Sequence, residues 1–200
     1  MDSNEAWPSF EGRLMAGLAQ LNVAESPITP PELAGLAFIA VWIAADDEGY
    51  LVVPDGRKNG DGWAVRSYDT LDGLVEIQGR VLPGIRPRQL DWEVADDYPG
   101  WEDLVDAVEF DRLEGLLAGR NSAEAVGATR SGTKLGGWPT LIQSEIFWAP
   151  NNQHPATPTY CFQIGTEESV GLNLWDAGVL HIGLGQDNGH PVWVAESQCY

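Results

Sequence analysis

Cysteine, histidine and positive charge are all scarce in this sequence of 200 residues, and each scarcity excludes something. Cys161 and Cys199 are its only cysteines. They lie far apart and outside any C-x-x-C spacing, so neither a metal knuckle nor a redox pair is indicated and both thiols are expected to be reduced. The histidines are His154, His181 and His190. No His/Cys/Asp cluster has ligand spacing, so no metal and no cofactor are expected. Lysine and arginine number 11 against 30 acidic side chains, a formal charge of −19. Such a chain repels phosphate, which excludes nucleic acid and anionic membrane as expected partners. The longest apolar stretch, Leu33 to Ala45, covers about 13 residues, short of the roughly 18 to 20 that cross a bilayer. No basic segment followed by an apolar one opens the chain, so a cytoplasmic location is expected.

What is plentiful is apolar and aromatic material. With 44% hydrophobic residues and nine tryptophans, the chain can bury a large core, removing roughly 70% of its unfolded surface from water without a staple. Phe10, Leu14, Leu18 and Leu21 recur at helical spacing and predict a short amphipathic helix over 9–21, weakened by Gly12 and Gly17. Thr29-Pro30-Pro31-Glu32 has the form of a capping box and predicts a helical turn. Phe38 to Ile43 and Tyr50 to Val53, split by Asp46-Asp47-Glu48-Gly49, read as a hairpin. Trp63 to Tyr68 with Leu74 to Leu82 reads as a second hairpin, and Leu90 to Val94 as an edge strand. Trp101, Leu104, Val105, Val108, Leu113, Leu116 and Leu117 predict one or two helices ending near Gly119. Val179 to Gly185 against Pro191 to Ala195 is the clearest hairpin, because Asp187-Asn188-Gly189 supplies positive-φ residues to its turn. Pro191 places the start of its strand at an edge. The expected class is α+β: β-rich, with antiparallel hairpins and sheets and a few short helices.

Searches for chemistry return little. Ser131-Gly132-Thr133-Lys134 spells S-x-x-K, which needs a helix that Gly132, Gly136, Gly137 and Pro139 oppose. Asp55, Asn59, Gly60 and Asp61 resemble a calcium loop, but Arg57 and Arg66 occupy ligand positions, so a turn is expected. His181 shares a strand face with Val179 and reads as a satisfied core histidine. No catalytic residue is assigned.

From residue 133 the chain reads Thr133-Lys134-Leu135-Gly136-Gly137-Trp138-Pro139-Thr140-Leu141-Ile142-Gln143, then Tyr160-Cys161-Phe162-Gln163-Ile164, then Leu174-Trp175-Asp176-Ala177-Gly178-Val179-Leu180. This order, over roughly 131–195, resembles the YwqG-like family, whose members are largely uncharacterised in function. The resemblance implies a single domain over 1–200 built of two related β-rich halves, 1–120 and 130–200, joined by 120–133. A structural role is expected for Gly136, Gly137, Trp138, Pro139, Gln143, Phe162, Gln163, Trp175, Asp176 and Gly178. Gln143 and Gln163, at strand positions, would bond across a buried gap, and Asp176 before Gly178 suits an Asx turn.

Charge is unevenly spread. Asp91, Glu93, Asp96, Asp97, Glu102, Asp103, Asp106 and Glu109 crowd one stretch, with Asp111 and Glu114 beyond and Arg112 as its single cation. On the predicted helix Glu102, Asp106 and Glu109 share one face. Such a stripe is a candidate surface for a cationic protein partner. The expected function is a non-enzymatic protein-binding module, most concretely a bacterial immunity protein that neutralises a basic toxin. The alternative is a small-molecule or glycan binder with a tryptophan-lined groove.

Overall fold

A computed structural model describes residues 1–2, 4–77, 79–100, 112, 115, 128–146, 148 and 154–200. The expected α+β class is overturned. The described chain is mostly β, with three antiparallel sheets. Apart from Arg112 and Gly115, its helical residues are in single 3-10 turns at Val23–Glu25, Pro31–Leu33 and Glu168–Val170. The helices expected between Trp101 and Gly119 fall outside the described residues, apart from Arg112 and Gly115, whose backbone is helical.

The helix expected over 9–21 is three strands: β1 (Ser9–Phe10), β2 (Arg13–Leu14) and β3 (Ala16–Asn22). Glu11 and Gly12, both at positive φ, turn β1 back on β2. A bulge between Gly17 and Ala19 puts one extra residue into β3. That insertion moves inward-facing positions from a spacing of two to a spacing of three, so the apolar pattern mimics a helix. Two glycines, each costing a helix about 1 kcal/mol relative to alanine, help decide the outcome.

Strand β4 (Phe38–Ile43) lies at the centre of a three-stranded sheet, between β3 and β5 (Trp63–Tyr68). The two expected hairpins therefore do not form as drawn. Residues 50–53 contribute one bridge, Ala45 to Leu51, and 74–82 contribute Asp2 to Leu74 and Ala16 to Arg80. Residues 90–94 form no strand. At Pro31–Leu33 the helical turn exists with proline at its start, but Pro30 occupies the cap position and no side chain caps it.

The second half matches its sequence pattern better. β6 (Lys134–Leu135), β7 (Thr159–Gly165), β8 (Val179–Asp187) and β9 (His190–Gln198) form a four-stranded meander in that order. Asn188 and Gly189, both at positive φ, form the β8–β9 turn, a conformation glycine adopts without the Cβ clash of other residues. Pro191 sits near the start of β9, an edge strand.

One core joins both sheets. Leu21, Ile39, Val41, Trp63 and Val65 from the first meet Phe162, Ile164, Leu180, Ile182 and Ala195 from the second. Two smaller clusters lie outside it: Met15, Ala40, Trp42 and Ala64 beneath Trp7, and Ile146, Trp148 and Val194. One edge strand of each larger sheet is tied by side chains. Asn59 donates to Val65 O and accepts from Val65 N on β5, and Asp55 accepts from Ser197 N on β9.

Candidate functional site

In β7, β8 and β9 the residues that alternate with the core positions point to the opposite face of the four-stranded sheet, and there a polar group lies beside the apolar cluster around Trp148 and Val194. Gln163 pairs with His181, and His181 with Glu196. Gln163, His181, Glu196 and Gln198 are the buried polar side chains of the described chain. A burial of this kind is tolerated only where partners are supplied, and segment 138–148 supplies them. Gln163 Oε1 accepts from Thr140 N at 2.9 Å and from the Tyr160 hydroxyl at 3.1 Å. Its Nε2 donates to Gly132 O and Thr140 Oγ1. Gln198 Oε1 accepts from the amides of Ile142 and Gln143, and its Nε2 donates to Ser144 O and Glu196 Oε1. Two amide side chains thus bind an irregular segment to the sheet much as another strand would.

His181 Nε2 lies 3.0 Å from Thr140 O. A carbonyl only accepts, so Nε2 carries the proton and Nδ1 is a bare acceptor, with no donor among the described residues. Burial pushes the imidazole pKa down to about 4, the Thr140 carbonyl opposing this and the Lys134 charge adding to it. His181 is thus a core histidine bonded at one of its two nitrogens. His154 is half-buried and accepts from Ala156 N, and His190 is exposed.

At the rim of this face the acidic stretch begins. Residues 86–100 contain neither strand nor helix. Arg86 N donates to Val170 O, and Trp92 packs on the main core. Asp97 is the third anchor. Its Oδ2 accepts from Lys134 Nζ and from Trp138 N, each at 2.9 Å, and its Oδ1 from Arg130 N at 2.6 Å. The two side chains of the ion pair are only 13% and 11% exposed. Burial alone would raise the Asp97 pKa, but the amide of Arg130, the Lys134 ammonium and the amide of Trp138 outweigh it and hold the carboxyl below its usual value. Gly137, at positive φ, stands between: a Cβ there would collide with the Asp97 carboxylate, so only glycine lets it reach Trp138 N.

The structure therefore divides the predicted acidic residues. Asp91, Glu93 and Asp96 are exposed, beside exposed Leu90, Val94 and Tyr98. Asp97 is turned inward as a structural pin. Glu102, Asp103, Asp106 and Glu109 lie outside the described residues.

The motif residues divide likewise. Phe162 and Gln163 are fully buried, and Gly136, at positive φ, donates to Cys161 O. Pro139 is half-buried. Gln143 is exposed and outside any strand; the bonding across the gap expected of it is made by Gln198. No Asx turn forms at Asp176; the turn is bonded by Asn173, whose Oδ1 accepts from Ala177 N four residues on and whose Nδ2 donates to Trp175 O. Trp175 is at positive φ, with an indole N–H that is buried and unbonded among the described residues. Gly178 packs so closely on Gln198 O and Leu174 O that a Cβ has no room. Lys134 of the S-x-x-K match lies on a strand and pairs with Asp97. Trp42, Trp63, Trp148 and Trp193 are buried, and among the described tryptophans Trp138 alone is exposed. Glu196 and Gln198 escaped sequence reasoning, and Asp55, expected only as a turn residue, ties β9. The alternation of β9 held a signal, since Val194, Glu196 and Gln198 fall on one face.

Among the described residues no group of three or more His, Cys, Asp or Glu side chains could hold a metal. No described helix is long and apolar enough to cross a membrane. A family model described as "Domain of unknown function (DUF1963)" matches residues 1–188. No curated protein matches the chain.

Proposed function

We propose, for this chain, which belongs to the DUF1963 family, a non-enzymatic role as a binding module for a cationic protein. More narrowly, it is a YwqG-like bacterial immunity protein that neutralises a basic toxin. The observation that supports this reading is the exposed strip Leu90–Tyr98, which intersperses carboxylates with apolar side chains and is fixed at Trp92 and Asp97. Val94 is 58% exposed and Tyr98 40%. Among the described residues, the carboxylates of Asp91, Glu93 and Asp96 make no hydrogen bond or ion pair within the fold, whereas neighbouring Asp97 makes three. Carboxylates without internal partners around apolar anchors suit recognition of a basic surface. The net charge of −19 would speed encounter with such a partner by roughly 10 to 1,000-fold at low salt.

The buried titratable groups support a role without catalysis. General acids and bases work best with a pKa near the working pH. Burial pushes the Cys161 thiol up to about 12 and His181 down to about 4. Asp97 is held ionised beside Lys134.

The test is a titration against the purified product of a neighbouring toxin-like gene, comparing wild type with the triple variant Asp91→Lys, Glu93→Lys, Asp96→Lys. Charge reversal should weaken binding at least about 100-fold at low salt and flatten its salt dependence, with a melting temperature no lower than that of wild type. Wild-type affinity in the triple variant, or a wild-type complex insensitive to salt, would reject the reading.

A further inference from the structure

Glycine follows asparagine at two places in this sequence, Asn59-Gly60 and Asn188-Gly189. The pairing matters chemically, because a glycine amide has no Cβ beside it and can come close to the side chain that precedes it. Every other asparagine precedes a residue with a side chain. Exposure does not separate the two pairs, since all four residues are exposed. Hydrogen bonding does. The Asn59 side chain is held at both ends, its Nδ2 donating to Val65 O at 3.0 Å and its Oδ1 accepting from Val65 N at 2.9 Å. The Gly60 N–H is engaged too, donating to Trp63 O at 2.8 Å. Neither group can turn toward the other while these bonds stand.

At the β8–β9 turn nothing comparable holds the reacting groups. Asn188 Nδ2 donates to Asp187 Oδ1 at 2.8 Å, a contact between two exposed neighbours that water can replace. Among the described residues Gly189 N donates to no backbone carbonyl. A Cβ built on Gly189 would meet nothing within 4 Å, so the tip stands in open space. All residues from Gln186 to Pro191 are exposed. Rotating the peptide between Asn188 and Gly189 therefore breaks no side-chain packing, and such opening of a turn lies at the low end of the free-energy scale of local unfolding.

We infer that the β8–β9 turn is a site of spontaneous covalent modification, at which Asn188 converts to aspartate and isoaspartate while the folded chain spares Asn59. The Gly189 nitrogen attacks Asn188 Cγ and a new N–Cγ bond forms. The Cγ–Nδ2 bond breaks, and Nδ2 leaves as ammonia with the proton that Gly189 N gives up. Water then opens the five-membered imide. Cleavage at Cγ leaves aspartate, and cleavage at the Asn188 carbonyl carbon leaves isoaspartate, with the chain routed through the former side chain. One water is taken up, one ammonia is released, and nothing is oxidised or reduced. Either product adds a carboxylate to the tip, and isoaspartate also adds a backbone carbon to a two-residue turn whose length sets the strand register. The site is separate from the strip around Asp91, so the two readings stand or fall independently.

The experiment is peptide mapping by mass spectrometry on the whole chain, incubated at mildly alkaline pH with and without denaturing urea. Amide-to-acid conversion is read from its mass gain, and aspartate is separated from isoaspartate by chromatography. The Asp-Gly pairs at Asp55, Asp61 and Asp72 can close the same ring, but their conversion leaves the mass unchanged and does not enter the reading. In the folded chain Asn188 should convert at least about tenfold faster than Asn59, whose reaction must wait for its bonds to Val65 to open. In urea the two rates should become comparable, because the neighbouring glycine is then the same for both. Asn188→Gln should remove the fast conversion, and the wild-type comparison with and without urea decides the matter if that variant fails to fold. Equal rates in the folded chain, an Asn188 that stays intact there, or a preference for Asn188 that persists in urea would each overturn the inference.

Discussion

Gln163 satisfies two donors and two acceptors with one side chain, and its neighbour His181 satisfies one acceptor and leaves Nδ1 bare. That difference has a thermodynamic consequence. Folding holds the imidazole neutral, with its pKa lowered from 6.5 to about 4. Between those values the unfolded chain binds more protons than the folded one, so stability falls as pH falls. The contribution is complete above pH 6.5 and lost by about pH 4, and amounts to about 3 kcal/mol. Urea titrations across that window should show a loss in wild type that His181→Gln lacks; parallel curves would refute the assignment. Asp97 acts lower on the scale: its depressed pKa contributes stability that disappears only below the ordinary carboxylate range. At this scale the sequence was partly legible. It marked Gln163 as a buried bonding residue and His181 as a core histidine, because both sit in strong β patterns. It chose Gln143 and Asp176 where the structure uses Gln198 and Asn173, since short-range spacing does not reveal which of two nearby polar groups faces inward.

Elements were legible where pairing is local and illegible where it is not. The β8–β9 hairpin followed from Asp187-Asn188-Gly189, because a two-residue turn fixes its own register. The β4–β5 pair spans a long intervening loop, and nothing between Ala44 and Gly62 states that Trp63 will lie opposite Ile43. In β3 the bulge erased the period of two. Edges behave similarly, since Asn59 reads as a turn residue yet binds both backbone groups of Val65. Asn59→Ala should cost about 1 to 2 kcal/mol by leaving those groups unpaired within the fold. It should also raise the concentration-dependent aggregation that open strand edges invite. Hydrogen exchange at the Val65 amide checks the first effect and light scattering the second. Unchanged protection would show that Asn59 is dispensable to the edge.

For the molecule as a whole, surplus negative charge opposes compaction while a core drawn from both sheets holds it together. Salt screens the repulsion over about 10 Å at 0.1 M. The melting temperature should therefore rise as sodium chloride is raised from about 0.01 to 0.3 M, where a fold resting on its four ion pairs among the described residues would weaken. Scanning calorimetry across that range separates the two. The sequence by itself determined the acidity, the quantity of apolar material and the turns that close on their own neighbours. All three are properties of composition or of a few adjacent residues. Tertiary structure decided that the first apolar segment is strand, that β4 is central, and that Asp97 turns inward while Asp96 stays in water. Strand pairing and polar burial depend on partners tens of residues away, here Lys134 and Trp138 for Asp97 and segment 138–148 for the polar face.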